Sequence, residues 1–152
     1  GFIMKNESRE IAKKLAIELE QYYNGDLYYC PECGEVIPFV NENYNIDTQL
    51  YICPNCKKLV DESELQAVDL YDYLSDNVLD VEYHIDSQFN YYSVLVYIAL
   101  NGPTAWIDTA KRIIEVSWGS DEGAYPISED ITDDIDSYFE ELFHNGVMNN
   151  DR

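Results

Sequence analysis

This 152-residue sequence has few of the residues that most often carry catalysis. It contains two histidines, and all four of its cysteines lie in two C-x2-C pairs. His84 stands in an alternating stretch typical of a strand, and His144 stands at the end of a predicted helix, where the helix dipole favours a cation. Neither has a second histidine or a free cysteine near it in the sequence, so no nucleophilic triad is visible. We therefore expect a protein that is not an enzyme.

Long apolar runs are also missing. The longest, from Val94 to Leu100, is far shorter than the roughly 20 residues that cross a bilayer as a helix. No basic-then-apolar leader is visible at the N-terminus. Hydrophobic residues make up 46% of the chain and aromatic residues 14%, which is enough for a packed core. We expect a folded, soluble, intracellular protein.

Basic residues are scarce, with 9 Lys and Arg against 30 Asp and Glu, for a net charge of −21. Residues 1–60 hold nine acidic and six basic side chains, whereas residues 61–152 hold twenty-one acidic and three basic ones. A chain so charged repels nucleic acid and anionic membranes and attracts basic surfaces. The composition predicts a basic protein partner, with no direct binding to nucleic acid or membrane.

The four cysteines have the spacing of a metal site. Cys30 and Cys33 form one C-x2-C pair, and Cys53 and Cys56 form a second pair after nineteen intervening residues. Two such pairs can complete a tetrahedral zinc site, and four protein ligands leave no position for a reacting water, so the site is expected to be structural. The alternatives are a redox pair, a disulfide framework, or iron held as in rubredoxin, whose knuckles these pairs resemble.

The pattern of apolar residues predicts an α+β fold. An amphipathic helix over Glu7–Tyr23 precedes short strands around the cysteine pairs, and a second helix begins at Asp61, with its apolar face on five residues. Period-two alternation after Asp80 predicts an antiparallel meander of three to four strands, and a last helix begins at Ser128. We divide the chain into 4–60, the N-terminal helix and zinc ribbon, and 61–146, an acidic α+β domain. The apolar face of the second helix is Leu65, Val68, Tyr71, Leu74 and Val78.

Carboxylates recur at helical spacing on the second and last predicted helices. Those of the second helix follow i, i+3, i+7 and i+11, which would align them on one face at intervals of about 4.5 to 6 Å along the axis. One DNA strand carries a charge every ~3.4 Å, so two acidic helices could approach that density. The alternative is a solvated face that serves only solubility. The candidate partner-binding residues are Asp69, Asp72, Asp76, Asp80, Asp133, Asp134, Glu140 and Glu141.

The loop from Trp118 to Gly123 is the most distinctive one in the chain. Asp121 and Glu122 could bind Mg²⁺ or another ligand there. A glycine-rich turn leading towards the helix at Ser128 explains the same residues without chemistry.

The cysteine segment, about Tyr28 to Leu59, resembles the zinc ribbon superfamily. Many zinc ribbons bind nucleic acid. Here only Lys57 and Lys58 oppose the acidic residues around the knuckles, and a phosphate backbone needs more cations than that. The acidic residues in question are Glu32, Glu35, Glu42 and Asp47.

A second resemblance covers residues 101–143, under a third of the chain. It rests on Asn101-Gly102-Pro103, Trp106-Ile107-Asp108-Thr109, Trp118-Gly119-Ser120-Asp121-Glu122, Pro126-Ile127 and the run from Ile135 to Leu142. These motifs resemble small proteins carried by phages and plasmids, and small acidic proteins of mobile elements include anti-CRISPR and antirestriction inhibitors, several of which mimic DNA.

The second resemblance implies an acidic inhibitor in the cytoplasm of a host cell. Its partner would be a basic, nucleic-acid-binding host defence nuclease. Two other functions remain open: an immunity or antitoxin-like protein that binds a basic toxin, and a metal-dependent enzyme that uses the loop with Asp121 and Glu122.

Overall fold

The computed structural model describes residues 7–147 and has the expected α+β composition. Three α-helices, eleven strands, two 3-10 turns (Asn41–Asn43 and Glu62–Glu64) and a final π turn (Phe143–Val147) are present in the described residues. The helices are α1 (Glu7–Asn24), α2 (Leu70–Asn77) and α3 (Glu129–Leu142). The strands are β1 (Leu27–Tyr29), β2 (Val36–Pro38), β3 (Tyr44–Asn45), β4 (Leu50–Ile52), β5 (Leu59–Asp61), β6 (Gln66–Ala67), β7 (Asp80–Ile85), β8 (Tyr91–Ala99), β9 (Thr104–Asp108), β10 (Ile113–Trp118) and β11 (Asp121–Pro126).

The chain forms two compact units. One, the ribbon unit, is Leu19–Asp76. The other, the meander unit, comprises the described residues up to Glu18 and those from Asn77 onwards. These bounds differ from the predicted division into 4–60 and 61–146 in two ways: the first turns of α1 group with the C-terminal residues, and residues 61–76 group with the ribbon unit.

The meander unit is built on one antiparallel sheet with the strand order β11-β10-β9-β8-β7. Each strand therefore pairs with its neighbour in the sequence. Asn101 and Gly119, in the turns that lead into β9 and β11, have φ angles of +64° and +62°, a conformation that Asn and Gly tolerate better than other residues. The sheet has five strands rather than the three or four expected, because residues 121–126 pair with β10 as a further strand.

Alternate residues of this sheet form the core of the meander unit. Val96, Ile107 and Ile114 pair across β8, β9 and β10 and are fully buried. The same face receives α3, whose Phe139 contacts Tyr83 with ring centroids 6.5 Å apart. Burying a Val or Ile side chain contributes about 1.5–3 kcal/mol, so these residues contribute strongly to the stability of the unit.

The predicted second helix is wrong over its first half. Asp61 does act as an N-cap, accepting a hydrogen bond from the Ser63 backbone N–H, but the turn that follows is a short 3-10 turn. The chain then becomes extended, and Gln66 and Ala67 pair with β1. Pairing with an available sheet edge outweighs the helical spacing of the apolar residues in this segment. The helix forms only over Leu70–Asn77.

The ribbon unit holds two small three-stranded sheets, β2-β1-β6 and β3-β4-β5. Tyr51 is fully buried among them, and its ring stacks on Phe39 at a centroid distance of 4.7 Å. The Tyr51 hydroxyl accepts a hydrogen bond from the Val40 N–H and donates one to the Pro38 carbonyl, both at 2.9 Å. A polar group buried with both partners satisfied costs little, so the tyrosine fixes the strands that carry the cysteines.

Candidate metal centre and acidic surfaces

The first cysteine pair lies in a tight turn between β1 and β2. The Gly34 N–H donates to the Cys30 carbonyl at 2.8 Å, and the Cys30 N–H donates to the Glu35 carbonyl at 3.0 Å. Gly34 has a φ of +74°, which glycine adopts without steric cost. The turn therefore places the sulfur atoms of Cys30 and Cys33 on the same side.

The second pair repeats this geometry between β4 and β5. The Lys57 N–H donates to the Cys53 carbonyl at 2.8 Å, and the Cys53 N–H donates to the Lys58 carbonyl at 3.0 Å. Lys57 occupies the position of Gly34, with a φ of +66°. Its Nζ donates to the Pro54 carbonyl at 2.6 Å, so the lysine is tied to the turn that it strains.

The four sulfur atoms converge on one point. All lie within 4.8 Å of one another, and the Cys30–Cys56 and Cys33–Cys53 Sγ pairs are each 3.8 Å apart. A disulfide needs ~2.05 Å between sulfur atoms, whereas a tetrahedron with metal–sulfur bonds of ~2.3 Å places them about 3.8 Å apart. Cys30, Cys33, Cys53 and Cys56 therefore form a cluster that can hold one metal ion with four thiolates.

Hydrogen bonds around the cluster favour the form that binds metal. The Asn55 side-chain amide donates to Cys33 Sγ at 3.5 Å, as does the Cys56 N–H to Cys53 Sγ. The Asn55 amide, followed by the backbone near Glu35, lowers the pKa of the Cys33 thiol to about 7. Thiolates rather than thiols ligate metals, so these donors favour the ligating form of Cys33. At Cys56 a hydrogen bond from the Lys58 backbone lowers the pKa, but burial and the neighbouring thiols outweigh it and raise the pKa to about 11.

The carboxylates predicted on the second helix do not share a helix face. Asp69 precedes α2, Asp72 and Asp76 lie within it, and Asp80 is the first residue of β7, in the meander unit. Asp69 and Asp72 cap each other, since each backbone N–H donates to the other's side chain at 2.9 and 3.0 Å. The Asp76 carboxylate accepts a hydrogen bond from the Tyr29 hydroxyl at 2.8 Å. The prediction of a single acidic helix face is therefore wrong. Asp80 lies in a strand, and Asp69, Asp72 and Asp76 make hydrogen bonds that serve local structure.

The carboxylates of α3 are mostly exposed. The helix begins as predicted, with the Ser128 hydroxyl accepting from the Ile131 N–H. Asp133 lies 3.7 Å from the Arg112 guanidinium, and Glu140 lies 3.6 Å from the His144 ring. Within the described residues, the side-chain carboxylates of Asp134 and Glu141 make neither a hydrogen bond nor an ion pair. The exposed acidic residues of α3, which we call the α3 acidic face, are Glu129, Asp130, Asp133, Glu140 and Glu141.

The distinctive loop from Trp118 to Gly123 is the turn between β10 and β11. Asp121 is not presented to solvent as a free ligand: its Oδ2 accepts a hydrogen bond from the Ser8 backbone N–H at 2.8 Å. Asp121 thus caps the start of α1, where a negative charge is favoured by the helix dipole. Within residues 7–147, the cysteine cluster is the one group of three or more His, Cys, Asp or Glu placed to share an ion.

Sequence reasoning missed a surface on the other side of the meander. Asp80, Tyr97, Trp106 and Glu115 stand opposite one another across β7, β8, β9 and β10, on the face away from α3. The Tyr97 and Trp106 rings lie 6.0 Å apart and are partly exposed. We call this the open face. Its signal was the alternation of side chains within the apolar run from Val94 to Leu100, whose two sides the sequence prediction did not separate.

None of the helices in residues 7–147 combines the length and the apolar composition needed to span a membrane. Comparison of this chain with protein-family models, with curated proteins and with solved structures finds no match in any of the three.

Proposed function

We propose that this chain is a non-enzymatic acidic binding protein that occupies a basic, nucleic-acid-binding surface of another protein. The observation that carries the proposal is the α3 acidic face. It holds five exposed carboxylates on one helix, and the last turn of that helix contains no Lys or Arg. Long-range attraction between such a face and a cationic channel would accelerate association in a salt-dependent manner.

The cost of this arrangement supports a binding role. Asp130 and Asp134 are four residues apart, as are Asp136 and Glu140, and each such pair destabilises a helix by about 0.2–0.5 kcal/mol. Arg112 offsets the repulsion at the start of the helix by contacting Glu129 at 3.5 Å as well as Asp133. Among the described residues, no Lys or Arg pairs with the C-terminal half of the helix, where the ring of His144 lies 3.6 Å from Glu140. A surface under selection for solubility alone could mix both signs of charge at lower cost.

The partner class follows from the resemblance of residues 101–143 to small acidic proteins of phages and plasmids. We propose a host defence nuclease, inhibited because the α3 acidic face competes with nucleic acid for its basic channel. The protein would act in the host cytoplasm.

We also propose that the metal is zinc and that its role is structural. Four thiolates close the coordination sphere, and Zn²⁺ accepts a tetrahedral thiolate set with no redox chemistry. Iron fits the same distances. Elemental analysis of the purified protein should give one zinc per chain, and a visible thiolate-to-iron absorption band would contradict the assignment.

A charge-reversal experiment tests the proposed function. We would change Asp130, Glu140 and Glu141, all in the α3 acidic face, to Lys and measure competition with duplex DNA for purified host defence nucleases. The expected result is weaker inhibition and a shallower dependence on salt. The matched control reverses Glu20, Glu42 and Asp47, which are exposed in the ribbon unit and give the same change in net charge. Equal inhibition by the two variants would show that the α3 acidic face is not the contact.

A further inference from the structure

Within the meander unit, both helices pack on one side of the sheet. A side chain at Gly123 would meet the backbone of Arg9 in α1, and the Phe143 ring that follows α3 lies 5.2 Å from Tyr83. By strand alternation, Gly123 and Tyr83 share the side that holds Val94 and Val116. In each strand, the alternate residues point to the opposite side of the sheet, and these residues form the open face.

The open face has an aromatic centre with acidic flanks. Tyr97 pairs with Asp80 on one side and with Trp106 on the other, and Trp106 pairs in turn with Glu115. Since neighbouring strands lie about 4.8 Å apart, the four side chains form a row across four of the five strands. The Trp106 ring N–H donates to the Glu115 carboxylate at 3.1 Å, which holds the indole in place.

We propose that the open face binds an arginine- or lysine-bearing segment of a protein partner, with the cationic side chain over Tyr97 and Trp106 and between Asp80 and Glu115. The inference rests on the proposed function, because both require a basic partner. It differs from the proposed function because it names a second surface, on the side of the sheet away from α3. It also assigns recognition of the cationic side chain to an aromatic pair.

The chemistry of the row suits a cation. Trp and Tyr faces attract guanidinium and ammonium groups within about 6 Å, and Trp attracts them most strongly. Asp80 and Glu115 lie three strand spacings apart, about 14 Å, so each would attract the cation over the rings and pair with a different basic side chain of the segment by charge-assisted hydrogen bonds. Burial, and after it the negative charges of Glu82 and Asp80, raise the pKa of the Tyr97 hydroxyl, which agrees with a negative potential at this place.

The charges around the open face favour a basic segment over the other possible binding partners. The carboxylates of Glu82 and Glu122 add to those of Asp80 and Glu115. Among the described residues, the basic side chains that pair with them are Lys111, 4.0 Å from Glu115, and His84, 3.0 Å from Glu82. Nucleic acid would be repelled. An apolar helix would bury carboxylates without partners, and a second copy of this chain would oppose like charges across the contact. A basic segment would neutralise the excess of negative charge on the open face.

Tryptophan fluorescence gives a direct test. The chain has two tryptophans, so Trp118→Phe leaves Trp106 as the single indole reporter. We would titrate this protein with a synthetic arginine-rich peptide and with the same peptide carrying citrulline in place of arginine. The expected result is a saturable change in Trp106 emission with the arginine peptide and none with the neutral one. Asp80→Asn with Glu82→Gln should weaken binding by about three- to tenfold.

The matched control removes two charges elsewhere, by Glu20→Gln with Asp47→Asn, and should leave the affinity within about twofold. Equal weakening by both pairs, or equal binding of the citrulline peptide, would overturn the open face as the site while leaving the proposed function standing. A Trp106 signal that depends on protein concentration without peptide would show that a second copy is the occupant, and would also overturn it. If the unmodified chain binds no basic peptide or protein at low salt, the proposed function fails as well.

Discussion

Gly123 in β11 lies directly against the backbone of Arg9 in the first turn of α1, with no space between them for a side chain. A Cβ atom at position 123 would overlap main-chain atoms of Ser8 and Arg9, and neither can give way as a flexible side chain could. The Arg9 guanidinium also lies over the Tyr125 ring at 5.3 Å. The start of α1 is thus fitted to one strand of the meander.

The substitution Gly123→Ala should destabilise the protein by about 1–3 kcal/mol, because the helix must move away from the strand or the strand must bend. Gly102→Ala is the matched control, since a Cβ there meets no atom within 4 Å and Gly102 has no positive φ. Urea unfolding followed by circular dichroism would measure both. Equal midpoints for the two variants would contradict the close approach.

Thr109 should contribute to stability through its hydroxyl. Its Oγ1 accepts the Val94 N–H at 3.0 Å and donates to the Val94 carbonyl at 3.2 Å, and both residues are buried. Thr109→Val keeps the shape and leaves a buried N–H without its partner, at a cost of about 1–3 kcal/mol. Thr104→Val, at a less buried position of β9, should cost less. The free energies of unfolding of the two variants, taken from denaturant curves, provide the comparison.

Removal of the metal should unfold the ribbon unit. A strong chelator, or the substitution Cys33→Ser, should abolish stoichiometric metal binding. The amide signals of Leu19–Asp76 should then lose their chemical-shift dispersion in NMR spectra, because the binding free energy of such sites is largely folding free energy. Asn55→Ala removes a donor to Cys33 but no ligand, so it should weaken metal affinity and leave the fold in place. A fully folded, metal-free ribbon would contradict a structural role.

Acid should loosen the turn between β7 and β8. Hydrogen bonds from the Asn90 backbone and side chain hold the pKa of the Asp86 carboxyl below its usual range. A pKa that is lower in the folded state stabilises the fold above the unfolded pKa, and the contribution is lost as the pH falls through the folded value. Asp86→Asn should therefore remove part of the acid dependence of stability. An NMR titration that places the Asp86 midpoint at or above its ordinary value would exclude the effect.

Much of the fold could be predicted from local patterns. The cysteine spacing specified the four residues of the metal cluster, and Ser128 specified the start of α3, because ligand spacing and helix capping depend on a few adjacent residues. The segment from Asp61 to Asp80 could not be predicted in the same way. Its apolar spacing suits a helix, but β1 offers an edge with which Gln66 and Ala67 pair, and that edge exists only in the folded chain.

The candidate surfaces were harder to predict than the metal centre. Helical spacing placed Asp80 on a face with Asp69, whereas it lies in a strand. The row of Asp80, Tyr97, Trp106 and Glu115 depends on the register of four strands, and register is fixed by turns and by the pairing of inner side chains. Asp121 resembled a metal ligand because its role as a cap depends on Ser8, which is 113 residues away.

The strand order leaves β7 at one end of the five-stranded sheet, with backbone groups of its outer side unpaired within that sheet. Such edges are templates for fibril growth unless charge opposes it. Asp80 and Glu82 place two acidic side chains along this edge, where they act as gatekeepers against such pairing. Loss of these two charges would remove that protection, so we expect a variant that lacks both to form β-rich aggregates more readily than the unmodified chain, with β7 as the growing edge.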